Sequence, residues 1–453
     1  MCGNSAESAR EKVALFPRMF PEVPAESYRD PQGNLTPKAQ QKLTTCIHQL
    51  TRLVEDFLVY RHLLRDSYTR ERILLTVYDV RDQPSLFLQH WKRMMAHNEQ
   101  LPAESIAYHY RKWDLIRMAV HHPTQDSFPT AKLGLNDALR HLDTFFAKVK
   151  LSDSYTSMMR HLVHNQEQHT ALLEPVLALS ESPLLQSDEM LAAFRQVLQN
   201  FSHAEYSTES FAHLRQLVLG VVPELPQDEQ YNLFRLLIHY SLVLDQFTNE
   251  EPTPSYLDLL DHGLENGYLF LLGRIYFWIF LHYIGTACRL RLPDRAEVFC
   301  DRYLARLPKE TQKFAEGLGR AQIAVARGEF KVALRYLNRK ERWPHFGDKL
   351  LERITCIQCY YELNEWELLE FNLESARKLI ARMNPIGAMV ALQFKGFLRF
   401  VRQLKTLAYE DRASPELVHV LQHERIAFFQ PWLLAKAKDL VERHREKPAG
   451  YRR

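Results

Sequence analysis

The sequence predicts an all-α protein, an α-solenoid of antiparallel helix–turn–helix repeats, and three observations carry that expectation. Glycine is scarce, 15 residues in 453, roughly half of ordinary usage, so few positive-φ turns and few hairpins are available. The same composition fills the long runs with Leu, Ala, Glu, Arg, Lys and Gln, which lose little side-chain freedom in a helix. No segment alternates polar and β-branched residues over a strand's length, so no sheet is expected. The third observation is internal repetition, which alone distinguishes a repeat array from a bundle.

Taken from the N-terminus, residues 1–36 carry Pro17, Pro21, Pro24 and Pro31, with Pro37 just after. Proline at that density cannot continue a helix, and the stretch reads as an extended lead-in. Thr36-Pro37 then supplies an N-cap followed by proline at the first helical position. A long helix follows through "KAQQKLTTCIHQLTRLVEDFLVYRHLL", with Leu43, Ile47, Leu50, Val54, Phe57 and Leu58 on one face. Residues 37–250 form an N-terminal array with irregular repeats, punctuated at Gln83-Pro84, Leu101-Pro102, Ser182-Pro183 and Val222-Pro223. The stretch Gly267–Arg289 reads as one buried helix. Arg274 interrupts it, leaving an apolar run shorter than the about 20 residues a membrane span needs.

Repeats are clearest over 251–383. Trp366, Leu369 and Leu373 lie at offsets 0, 3 and 7, as do Phe330, Ala333 and Leu337, then Pro293, Ala296 and Cys300, then Leu257, Leu260 and Leu264. The four copies are 36, 37 and 36 residues apart, counted from Trp366 back to Leu257. Ala321 and Ala324 precede Gly328 as Ile357 and Tyr360 precede Asn364. Gly and Asn most readily take the left-handed conformation that closes a helix. "YYELNEWELLEF" is therefore an elbow, with Trp366 placed to lock adjacent hairpins together. About nine helix pairs are expected, with C-terminal capping helices over 384–447 and a basic tail at 448–453.

The segment "ARGEFKVALRYL" resembles the tetratricopeptide signature, in which a Gly-acidic-aromatic turn opens a second helix carrying a small residue. Lys340 stands where a second small residue is usual, and the period of 36 departs from 34. A wider resemblance runs through "LTRLVEDFLVYR", "ALRHLDTFFAKVKL", "AEVFCDRYLARLP", "YYELNEWELLEFNLESARKLI", "FKGFLRFVRQL" and "PWLLAKAKDL". In order and spacing these blocks are similar to a bacterial family of tetratricopeptide-like helical-repeat proteins that has no assigned catalysis. The resemblance implies the fold and adds no active site.

Lys plus Arg number 58 against 55 for Asp plus Glu. That balance lacks the electrostatic footprint of a nucleic-acid or anionic-membrane binder. Six cysteines are too few for a disulfide scaffold in so long a chain. The N-terminus "MCGNSAESAREKVALFP" lacks the apolar region of a secretory signal. A soluble, cytoplasmic protein is expected.

Residues that might carry chemistry are weighed in turn. Cys356-x-x-Cys359 falls inside a repeat helix, where small buried thiols pack as apolar groups. His161, His164 and Glu167 share a helical face, which would suit a metal-dependent enzyme; a catalytic zinc needs three ligands and a supporting shell. "GLGRAQ" at Gly317–Gln322 has no preceding strand and lacks the third glycine of a dinucleotide loop. A pentatricopeptide-like reader of RNA would need a basic groove and paired polar readers. Gln322/Val325 against Gln358/Tyr361 makes no such code.

The reading is thus a non-catalytic protein- or peptide-binding scaffold, with no cofactor, metal or catalytic residue assigned and no membrane span. A metal-dependent enzyme at His161/His164 and a nucleic-acid-associated regulator are the alternatives. Repeat geometry puts Arg289, Gln322, Gln358, Tyr361 and Glu362 on the concave face toward a protein or peptide partner.

Overall fold

The computed structural model describes residues 5–122, 134–203, 205–247, 254–338, 346–382, 387–423, 427 and 429–445. The helices are, in order, α1 (Ser5–Met19), α2 (Ala25–Tyr28), α3 (Pro37–Arg65), α4 (Ser67–Val80), α5 (Pro84–Asn98), α6 (Ile106–Val120) and α7 (Leu135–His164). There follow α8 (Leu173–Ser180), α9 (Glu189–His203), α10 (Thr208–Val221), α11 (Gln227–Phe247), α12 (Pro254–Glu265), α13 (Phe277–Arg289) and α14 (Pro293–Tyr303). The last are α15 (Lys309–Ala326), α16 (Phe330–Leu337), α17 (Phe346–Glu362), α18 (Trp366–Arg382), α19 (Ala388–Tyr409), α20 (Pro415–His423) and α21 (Gln430–Arg445). The protein is all-α. Helices α3, α5, α12, α14 and α20 each begin on a proline, whose missing N–H is one a helix N-terminus leaves unpaired in any case.

The chain divides into two compact units, residues 1–97 with 118–132, and residues 98–117 with 133–453. In the first, Phe16, Tyr28, Ala39 and Leu43 make a small core, with the Phe16 ring 4.9 Å from both Phe20 and Tyr28. The proline-rich start is therefore not an extended lead-in. Pro17 lies near the end of α1, where its ring removes a single hydrogen bond and the preceding turns of Ala, Glu, Arg and Lys keep their helix. Thr36 caps α3, its hydroxyl accepting from the Ala39 N–H at 3.4 Å. Only Ala39 and Leu43 of α3 are buried.

In the second unit one core runs from Ala147 on α7 to Cys359 on α17. A second runs from Leu350 to Ala437, so α17 carries apolar residues into both. Helices pack on their neighbours in sequence, α13 on α14 and α15, and α15 on α16 and α17. The predicted offsets are met on the inner face of each second helix: Leu257, Leu260, Ala296, Cys300, Ala333, Leu369 and Leu373 are all fully or nearly buried.

The elbows share one geometry. Arg291 (φ 59°), Gly328 (φ 77°) and Asn364 (φ 57°) are left-handed. The N–H of the next residue reaches back to the helix in each case: Leu292 to Ala287 O (2.8 Å), Glu329 to Ala324 O (2.8 Å), Glu365 to Tyr360 O (2.9 Å). This is the hydrogen bond from just beyond a helix to its last turn that satisfies otherwise orphan carbonyls. The elbow before Pro254 lies outside the described residues.

Two differences from the sequence reading stand out. Gly267–Arg289 is not a single helix: Phe270–Leu271 pairs antiparallel with Arg274–Ile275, turning on Leu272 (φ 52°) and Gly273 (φ 73°), and α13 starts only at Phe277. Periodicity cannot separate a short apolar strand pair from a buried helix. In addition, α19 packs on α7, the Gly387 N–H donating to Val163 O at 2.9 Å. A Cβ at Gly387 would fall 1.8 Å from Leu162 O, so only glycine permits the approach. An array in which each unit touches only its sequence neighbours has no such contact. Among the described residues no helix is long and apolar enough to cross a membrane.

Candidate functional site

Spacing of four along a helix stacks side chains on one face. On α11 that rule aligns Tyr231, Arg235 and His239; on α13 it aligns Trp278 and His282, with Arg289 two turns further on. The two rows meet. Tyr231 stacks on Tyr276 at 5.2 Å, the His239 ring lies 5.2 Å from Trp278, and His282 meets Trp278 edge-on at 5.8 Å. From α7, Thr156 accepts from Arg235 Nη2 at 3.1 Å, and the Tyr155 hydroxyl contacts His239 Nδ1 at 2.5 Å.

The electrostatics follow from burial. Desolvation, reinforced by Arg235 and His282, holds the His239 imidazole down to about 3, and burial raises the Tyr155 phenol. The phenol therefore keeps its proton at neutral pH and pairs with Nδ1 of a neutral imidazole. His282 is held down to about 4, by burial first and by Arg289 second. Its side chain is nevertheless exposed. At neutral pH the row thus presents two neutral imidazoles and an indole between two guanidiniums. Beside it, Asp153, Thr156, Ser157, Arg160, Gln166 and Glu167 line an open recess of about 400 Å³.

Of the sequence candidates, Arg289 is exposed and donates to Thr286 Oγ1 at 3.0 Å. Gln322 and Gln358, at the same register as Thr286 on α15 and α17, are buried, and Gln322 Oε1 meets no protein donor. Tyr361 and Glu362 do not face open space. Tyr361 is buried edge-on against Trp432 at 5.4 Å, and Glu362 accepts from Trp432 Nε1 at 2.9 Å and pairs with Lys436 at 3.0 Å. Helix α21 thus covers this end of α17.

His161 Nδ1 meets Gln166 O at 2.8 Å, closing the turn after α7, while the His164 side chain lies outside the described residues. Among the described residues no group of three or more His, Cys, Asp or Glu is placed to hold a metal. Burial pushes both Cys356 and Cys359 up to about 12, so neither is a thiolate at neutral pH.

A second polar cluster has no counterpart in sequence spacing. Fully buried Lys148 lies 2.5 Å from Asp188 and donates to Glu104 O at 2.6 Å. His109 and His141 meet through their Nδ1 atoms at 2.9 Å. Glu229, on α11, accepts from the N–H groups of Ile106 (2.9 Å) and Ala107 (3.3 Å), satisfying the start of α6. These groups are consumed by one another, and the cluster fastens residues 98–117 into the second unit. No family model, curated protein or solved structure matches this chain.

Proposed function

We propose that the chain is a non-catalytic, cytoplasmic scaffold whose second unit is a tetratricopeptide-like solenoid. Its first helices would receive a segment of a protein or peptide partner. The observation that carries this reading is the row Arg235, His239, Trp278, His282 and Arg289. His282 and Arg289 are exposed and Arg235, His239 and Trp278 half-buried, an aromatic platform between two cations. Such a row suits an extended segment bearing a carboxylate and an aromatic or apolar residue, since Arg pairs with carboxylates and the indole takes apolar contact. Repeated elbows at Arg291, Gly328 and Asn364 support the solenoid. The free thiols of Cys46, Cys288, Cys300, Cys356 and Cys359 suit a reducing compartment.

The test is affinity capture on the full chain, comparing wild type with Trp278→Ala/Arg289→Glu. A polypeptide retained by wild type and depleted at least tenfold by the variant is expected, with far-UV dichroism and unfolding midpoint kept. Equal retention by both proteins would refute the assignment.

A further inference from the structure

Helix α3 is 29 residues long, about 44 Å at 1.5 Å per residue. Its first two turns enter the small core of the first unit through Ala39 and Leu43. Beyond Leu43, nearly every residue to Arg65 is exposed, although the stretch is strongly apolar. Leu50 is 53% exposed, Leu53 66%, Phe57 55% and Leu58 56%. Most of a helix's stability in a protein comes from packing an apolar face, so the exposed stripe calls for an occupant.

The stripe has a register of its own. Leu43, Ile47, Leu50, Val54, Phe57, Arg61 and Leu64 follow one another at alternate steps of four and three. That is the seven-residue repeat of a coiled-coil seam, with β-branched Ile47 and Val54 at one seam position and Leu43, Leu50, Phe57 and Leu64 at the other. Leu53, Leu58 and Tyr60 widen the seam on both flanks, while His48, Arg52, Glu55 and Asp56 sit behind it. The period identifies the occupant as a helix with the same repeat and length, which a second copy of α3 supplies. Eight large apolar side chains of the seam and its flanks, from Ile47 to Leu64, each leave between a third and two thirds of their surface in water. They offer on the order of 800 Å² per chain, what each partner contributes to a stable interface.

We propose that α3 pairs with α3 of a second copy in an antiparallel coiled coil, making the protein a homodimer. Arg61 decides the direction. A parallel pair would set the two Arg61 guanidiniums in the same buried layer. An antiparallel pair separates them and lays each Arg61 stem against Leu50 of the partner subunit, its charged head reaching water. Ile47 then meets Leu64 of the partner subunit, Val54 meets Phe57 of the partner subunit, and Leu53 lies against Tyr60 of the partner subunit, the two Leu53 positions flanking the two-fold axis about 7.5 Å apart along the helix direction. The contact is isologous, as closed two-fold symmetry requires.

The full chain is tested by light scattering after gel filtration. Wild type is expected at twice the chain mass. Leu50→Glu/Phe57→Glu is expected to halve that mass while far-UV dichroism shows the chain still folded and helical, and Arg52→Glu, on the back of the helix, to leave it alone. In a Cys2→Ser/Cys46→Ser background, Leu53→Cys should cross-link between chains with a short bismaleimide and Ile47→Cys should not. A wild-type protein at single-chain mass at its highest soluble concentration overturns the proposal. So does a dimer that survives the two glutamates, or cross-linking through position 47 in place of 53.

Discussion

Trp432 donates its indole N–H to the Glu362 carboxylate at 2.9 Å, across 70 residues of chain. The bond seats α21 on α17, and the Lys436 ammonium at 3.0 Å completes the carboxylate's partners. Glu362→Ala leaves a half-buried N–H and an ammonium without their acceptor, which costs about 1–3 kcal/mol. Urea unfolding should show that loss, and Glu362→Gln, which keeps an acceptor for the indole, should recover part of it. An unchanged midpoint in Glu362→Ala would mean that apolar packing alone holds α21.

Trp366 and Leu369 open α18 together but are not equally buried. Leu369 is fully enclosed, whereas Trp366 is half-buried and meets Tyr361 edge-on at 5.8 Å. Leu369→Ala should therefore cost about 2–5 kcal/mol, as cavities in a packed core do. Trp366→Ala should cost less than the about 3–5 kcal/mol of a wholly buried aromatic. Equal losses in chemical denaturation would contradict the assignment of Leu369 as the inner residue of the hairpin.

The elbows permit a comparison at one geometry with three residues. Arg291, Gly328 and Asn364 all take positive φ, which costs a side chain with a Cβ about 1–2 kcal/mol. Arg291→Gly should be neutral or stabilising by up to about 1 kcal/mol, the strain relieved being partly offset by the freedom glycine gains in the unfolded chain. Gly328→Ala should destabilise by about 1–2 kcal/mol. Thermal midpoints of the two variants should thus move in opposite directions or differ by at least that amount.

The half-buried imidazoles set a pH dependence. Burial chiefly, with Lys148 and His141 adding to it, holds His109 down to about 4, and His239 is held down to about 3. Unfolded imidazoles titrate near 6.5, so between that pH and about 4 the unfolded chain takes up protons that the folded chain refuses. Stability is then greatest above pH 6.5 and falls as pH drops through this window. Urea midpoints at pH 7.5 and 5.0 should differ, and the difference should shrink in His239→Gln, which keeps an acceptor for Tyr155. The same drop in both proteins would show that His239 titrates normally.

Legibility differed by element. Helix content, the N-cap at Thr36 and the offsets at Leu257, Ala296, Ala333 and Leu369 were all readable, because each rests on a local rule: propensity, capping or a period of 3.6. The elbow at Arg291 was not, since arginine announces no left-handed turn; its place was readable only through its distance from Gly328. The ribbon around Gly273 was hidden within an apolar run whose length also suits a helix. Arg289 was readable as a register position on its helix, but the row of Arg235, His239, Trp278 and His282 was not, because it forms only when α11 is laid beside α13.

By itself, then, the sequence determined an all-α chain and the 36–37-residue period of its best-defined hairpins. Both depend on residues within one or two turns of each other. Tertiary structure alone decided that α21 covers Tyr361 and Glu362, that Gly387 docks on the end of α7, and that Lys148, Glu104 and Asp188 meet. Those contacts join residues tens to hundreds apart, where no local spacing encodes the partner and only the stacking of whole helices brings it near. It also left the seam of α3 in water, where a periodic apolar face alone would have implied a buried helix.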